Sequence, residues 1–162
     1  MVFPPAHGVL FIIIAAAGVY SWLLTISGVP QAMVAFIEGI GAEPWAVLMI
    51  INLFLLAVGC LLDPASAIII LTPLLIPIVT ALDIDLIHFG IIMVVNMEIG
   101  MITPPVGLNL FVTSGITGMS VLKVCKAALP WLMILLLFLV IVTYVPIVST
   151  WLPELLMGKQ TL

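Results

Sequence analysis

The sequence predicts an all-α membrane protein, a polytopic helical bundle with one re-entrant hairpin and one discontinuous helix. Three observations carry that expectation. Hydrophobic residues fill 65% of the 162 positions and charged residues only 6%, whereas soluble domains carry about 25% charged residues. The apolar runs are continuous rather than alternating, and lipid admits only helices or closed barrels, so helices follow. Two of the runs are interrupted by proline, glycine and small polar residues, which marks backbone leaving the helix at membrane depth.

The same figures exclude whole classes of function. Three lysines, no arginine and seven acids give a net charge of −4, so the basic footprint of a nucleic-acid binder is absent. A water-soluble enzyme could not cover this surface. No Walker glycine-lysine motif, His/Cys metal set or nucleophile constellation occurs, so neither ATP-driven transport nor a membrane enzyme is expected, and no cofactor. Cys60 and Cys125 lack a CxxC or Cys/His spacing and read as small buried hydrophobes.

A spanning helix takes roughly 20 apolar residues, so the chain reads as a single membrane domain, 1–162, with room for roughly five or six spans. Residues 9–26 form a spanning helix, stopped by Ser27-Gly28-Val29-Pro30. It has no Lys or Arg before it, and apolar residues continue past Ala15-Ala16-Ala17, so it reads as a membrane helix rather than a cleaved leader. Residues 30–43, with Glu38, Glu43 and two glycines, read as an interfacial helix or connector.

Residues 45–82 hold two apolar arms joined by Gly59-Cys60-Leu61-Leu62-Asp63-Pro64-Ala65-Ser66, with no polar loop between them. Two full spans with a tight turn are one reading. A re-entrant hairpin with its tip at membrane depth is the other, favoured by the small and helix-breaking tip residues and by Pro73 and Pro77, which are expected to interrupt the return arm. After the acidic linker Asp83-Ile84-Asp85, residues 86–117 read as a discontinuous helix containing Asn96 and Glu98, broken at 103–107. Two prolines there remove two donors, and Gly107 permits angles that a helix cannot hold. Residues 118–126 read as a loop, 127–148 as a spanning helix, and the tail as amphipathic around Trp151.

Lys123 and Lys126 mark their loop as cytoplasmic. Counting back, the first helix starts inside, the hairpin enters from outside, and three crossings plus the hairpin put the C-terminus outside; Lys159 sits against this. Trp22, Trp45, Trp131 and Trp151 lie mostly near segment ends, as belt anchors do.

A hairpin tip and a helix break at membrane depth form the chemically informative pair. Unwound carbonyls there are costly unless a partner satisfies them. Half-helix C-termini suit a cation and half-helix N-termini an anionic substrate, the pattern of a secondary-transporter site. Asp63 can cap the return arm or bind an ion. Asn109, just past the break, can hydrogen-bond a substrate carboxylate or another helix. Glu98 is ionisable mid-segment, either functional or a protonated hydrogen-bond donor. His7 and His88 lie near segment ends and read as interfacial.

The stretch Asn96-Met97-Glu98-Ile99-Gly100-Met101-Ile102-Thr103-Pro104-Pro105-Val106-Gly107-Leu108-Asn109-Leu110-Phe111-Val112 resembles the signature of the TRAP transporter large permease, the DctM family. Gly59-Cys60-Leu61-Leu62-Asp63-Pro64 and Ile68-Ile69-Ile70-Leu71-Thr72-Pro73-Leu74-Leu75-Ile76-Pro77 resemble that family's second hairpin. The resemblance covers residues 10–153 and implies the C-terminal portion of a longer protein, half of an inverted-repeat, elevator-type transporter in the bacterial inner membrane. It implies Na⁺-coupled import of organic acids such as C4-dicarboxylates, with three protein partners: a small four-helix permease subunit, a periplasmic substrate-binding protein and the missing N-terminal half. The Na⁺ ligands it implies are the carbonyls of Gly59, Gly100 and Val106, with the hydroxyl and carbonyl of Thr103. The competing expectation is a truncated or accessory structural membrane subunit without transport of its own.

Overall fold

A computed structural model describes residues 6–158, and every element in it is a helix. Helix α1 (Ala6–Ile26) ends where the Ser27 hydroxyl donates to the Leu24 carbonyl at 2.8 Å and Gly28 turns left-handed at φ 76°. Pro30 then sits in the first turn of α2 (Val29–Ile40), a position that needs no N–H. The two axes differ by 54°. Of the interfacial helix or connector expected here, the structure shows a helix, bent so that Met33, Val34 and Ile37 pack on the core while Gln31 and Glu38 stay exposed.

Helices α3 (Pro44–Gly59) and α4 (Pro64–Ala81) flank the tip residues 60–63. Pro73 and Pro77 lie inside α4 without ending it, which corrects the expectation of an interrupted arm. Spaced four apart, they place their missing hydrogen bonds on one stripe of the helix, and the remaining bonds hold it continuous. Asp83, in the left-handed region at φ 54°, turns the chain into α5 (Leu86–Gly100), whose first turn is capped by Asp85 accepting from the His88 N–H at 2.8 Å. The chain unwinds over residues 101–107 and resumes as α6 (Leu108–Thr117).

Helix α7 (Val121–Tyr144) begins earlier than the expected loop allowed. Gly118 ends α6 at φ 67° and Ser120 is already the N-cap of α7, so Lys123 and Lys126 ride exposed on its first turns. Helix α8 (Ile147–Met157) closes the described chain. Lys159 and the side chain of His7 lie outside the described residues.

The core is shared by α3, α4 and α5. Val47, Ile51 and Leu55 from α3 meet Ala67, Leu71, Leu75 and Ile78 from α4, and Phe89, Met93 and Met97 from α5. Helix α5 is the hub, touching α3, α4, α7 and α8. On α7, Leu132, Leu139 and Val142 turn inward to Ile92 and Ile99, whereas Trp131, Met133, Ile134 and Leu137 are exposed. A helix with that much exposed apolar surface needs a lipid or protein neighbour. Helices α4 and α7 are long and apolar enough to cross a membrane, and the bent α1–α2 pair qualifies as a unit.

Helices α3 and α5 meet at their C-terminal ends through two glycines. A Cβ added at Gly100 would lie 2.6 Å from the Gly59 Cα and 2.9 Å from the Cys60 nitrogen, so backbone occupies the space a side chain would need. Gly90, on the same helix, has no atom within 4 Å of the equivalent position. Gly100→Ala is expected to cost about 1–3 kcal/mol through overpacking and Gly90→Ala to be neutral or slightly stabilising. Thermal unfolding in detergent micelles checks this, with the Gly100 variant melting at least about 2 °C lower.

Candidate functional site

The glycine contact brings the hairpin tip against the helix break. The Gly107 N–H donates to the Cys60 carbonyl at 3.3 Å, and the Cys60 thiol lies 3.8 Å from the Pro104 carbonyl. Within the break, the Thr103 N–H donates to the Gly100 carbonyl at 3.0 Å. The Asn109 N–H reaches back to Met101 at 3.1 Å, tying the first turn of α6 to the end of α5. Gly107 holds φ 52°, and a Cβ there would lie 2.9 Å from the Thr103 carbonyl oxygen, so the turn requires glycine on both counts.

The oxygen inventory decides what the arrangement can do. Among the described residues the carbonyls of Gly59, Thr103 and Val106 accept no hydrogen bond, and the Gly100 carbonyl accepts one, which leaves a lone pair. The Thr103 hydroxyl donates its proton to the Ile99 carbonyl at 2.7 Å, so its oxygen lone pairs are also uncommitted. Each helix C-terminus carries roughly half a negative charge, and α3 and α5 end side by side. Two such ends repel unless a cation or donors stand between them. The set consists of uncharged oxygens, the ligand type that hard cations take, and no group of three or more His, Cys, Asp or Glu that could hold a metal occurs among the described residues.

The remaining sequence candidates fall in different places. Asp63 is half-buried at the N-terminus of α4, where its carboxylate accepts from the Ser66 N–H at 2.9 Å. Asn109 is exposed on the first turn of α6, beside the break. Glu98 is exposed on α5, with no side-chain hydrogen bond among the described residues. His88, at the start of α5, is drawn inside the bundle. It is only 3% exposed, with Nε2 3.2 Å from the Thr143 carbonyl and Nδ1 3.1 Å from the Ser149 hydroxyl. The cause is the α7–α8 corner, which covers the start of α5 and presents one of the last, helically orphaned carbonyls of α7.

A buried polar cluster went unread in the sequence. Asn96, fully buried, donates to the Asn52 side chain at 2.6 Å and to the Ile92 carbonyl at 2.8 Å. Asn52 in turn donates to the Thr143 hydroxyl at 2.9 Å. The available signal was Asn52 itself, a polar residue in the middle of an otherwise apolar run.

A family profile described as "Tripartite ATP-independent periplasmic transporter, DctM component" matches residues 5–148. The chain belongs to the DctM family. It is 54% identical over 93% of its length to the C4-dicarboxylate TRAP transporter large permease protein DctM of Vibrio cholerae, covering 33% of that protein. The corresponding proteins of Pseudomonas aeruginosa and Rhodobacter capsulatus are 53% and 48% identical over 90% and 91% of the chain, with 34% and 33% of their own lengths covered. The chain thus spans about a third of the length of these curated relatives, as a C-terminal portion of the family's sequence. DctM-family membership and the apolar helices make it a helical membrane protein of a transporter permease family.

The Asp63 cap carries its own expectation. Asp63→Ala should lower stability by about 1 kcal/mol and Asp63→Asn should restore most of it, as read by thermal unfolding in micelles.

Proposed function

We propose that this chain forms part of the membrane permease of a tripartite, binding-protein-dependent, Na⁺-coupled importer of organic acids in the bacterial inner membrane. C4-dicarboxylates are the favoured substrates, on the strength of the named relatives. The observation that supports the reading is the Gly59–Gly100 contact, which brings the backbone at the end of α3 against that at the end of α5, in a region where several carbonyls accept no hydrogen bond among the described residues. In this reading the carbonyls of Gly59, Gly100, Thr103 and Val106 and the Thr103 hydroxyl ligate Na⁺. One positive charge balances the paired helix ends, whose partial charges sum to about −1.

The coupling logic follows. An ion held by both tip and break clamps the hairpin shut against α5. Clamping fixes the N-terminus of α6, whose partial positive charge and Asn109 amide face the place for a substrate carboxylate. Asp63 is committed to its cap and stays out of the ion's shell. The length of α3 favours a re-entrant hairpin, since 16 residues span about 24 Å, short of the roughly 30 Å hydrocarbon core, whereas α4 is long enough to cross. The small permease subunit, the periplasmic binding protein and the rest of the large permease complete the machine, and they and lipid cover its exposed apolar faces. Lys123 and Lys126 mark the cytoplasmic end of α7.

Thr103→Ala in the complete permease tests the site. It removes a ligand oxygen and is expected to raise the Na⁺ concentration for half-maximal uptake at least about tenfold, with Thr103→Ser close to the parent. Uptake measured in proteoliposomes across a Na⁺ series reads it, and an unchanged Na⁺ dependence removes the assignment.

A further inference from the structure

The buried cluster of Asn96, Asn52 and Thr143 touches none of the proposed ligands, yet it joins the helices that carry them. Its donors run in one direction. The Asn96 amide donates to Asn52 Oδ1 at 2.6 Å, the Asn52 amide to Thr143 Oγ1 at 2.9 Å, and the Thr143 hydroxyl to the Leu139 carbonyl at 2.7 Å. Asn96 and Thr143 are almost wholly buried, and Asn52 is 9% exposed. The relay therefore pins α5 to α3, and α3 to α7, inside an otherwise apolar interface.

Position along the helices gives the relay its consequence. Asn96 lies one turn before Gly100, and Asn52 two turns before Gly59. Helices in lipid have no hydrophobic drive to hold one axial setting, because lipid tails are as apolar as leucine. A slip of one turn, about 5.4 Å, would still leave leucine and isoleucine facing apolar neighbours. It would break the Asn52–Asn96 bond and carry Gly59 away from Gly100, displacing the carbonyl ends.

We infer that Asn52, Asn96 and Thr143 are positioning residues for the cation site, a hydrogen-bond relay that holds the C-terminal carbonyls of α3 and α5 in the register that binds Na⁺. The inference rests on the cation reading of the tip and break. It assigns the three residues to ion affinity rather than substrate recognition, since none of them lies at the break or on α6. It also gives α7 a part in ion binding, although that helix supplies no ligand.

The test uses the complete permease in proteoliposomes. Thr143→Val removes the hydroxyl at nearly constant volume, Thr143→Ser keeps it, and Asn52→Leu/Asn96→Leu removes the relay while leaving neither partner of the broken pair orphaned. Thr143→Val and the double variant are expected to raise the half-saturating Na⁺ concentration at least about threefold. Substrate KM at saturating Na⁺ and maximal uptake stay at parental values, and Thr143→Ser returns the parental Na⁺ dependence. Monodisperse variants with unchanged Na⁺ dependence overturn the relay, as does a fall in maximal uptake that Thr143→Ser shares. Thr103→Ala in the same assay separates the two readings. If it shifts Na⁺ dependence while the relay variants do not, the relay alone falls. If it does not, the cation site falls, and the relay's role with it.

Discussion

Two helices can bring their C-terminal ends into backbone contact only where neither carries a side chain, and Gly59 and Gly100 meet that requirement. The space a Cβ would take on Gly100 is already filled by the backbone of Gly59 and Cys60. From that contact the rest of the site follows. The tip is close enough for the Gly107 N–H to reach the Cys60 carbonyl, and the break folds around it through Thr103 and Asn109. Two partial negative charges are forced together, and several carbonyls of the tip and break are left without hydrogen-bond donors among the described residues.

Lipid makes those open carbonyls consequential. In water an unpaired carbonyl is solvated; at membrane depth each one is a cost of several kcal/mol unless a partner is supplied. Elsewhere the chain meets much of this demand internally, although Ser66 Oγ and Asn96 Oδ1 are buried without a partner among the described residues. Asp63 and Asp85 cap the starts of α4 and α5, and His88 satisfies the end of α7. The asparagine relay pairs amide with amide in the core. The open oxygens at tip and break are the ones the proposed cation would satisfy.

Much of this was legible in the residues. The two prolines and glycine at 104–107 announced the break, the small tip residues announced the turn between α3 and α4, and the TPPVG stretch carried the family resemblance. What was not legible depended on three-dimensional neighbours. Pro73 and Pro77 look like helix breakers, but a helix tolerates them when the lost bonds fall on one stripe. The start of α7 at Val121 was hidden by the lysines, whose charge suggested a loop although both residues are good helix formers. The burial of His88 was hidden because nothing in the sequence shows that the α7–α8 corner would fold over it. The Asn52–Asn96 pairing joins residues 44 apart, a separation at which spacing carries no information.

Ion, tip and break form one device in this account, with α5 as the element that every part touches. The most direct measurement is a high-resolution density map of the complete permease, collected once in sodium chloride and once in choline chloride. The account predicts a density peak in sodium alone, enclosed by the carbonyls of Gly59, Gly100 and Val106 and by the oxygens of Thr103. A peak that survives without sodium, or a sodium-dependent peak elsewhere with these carbonyls turned apart, would contradict it.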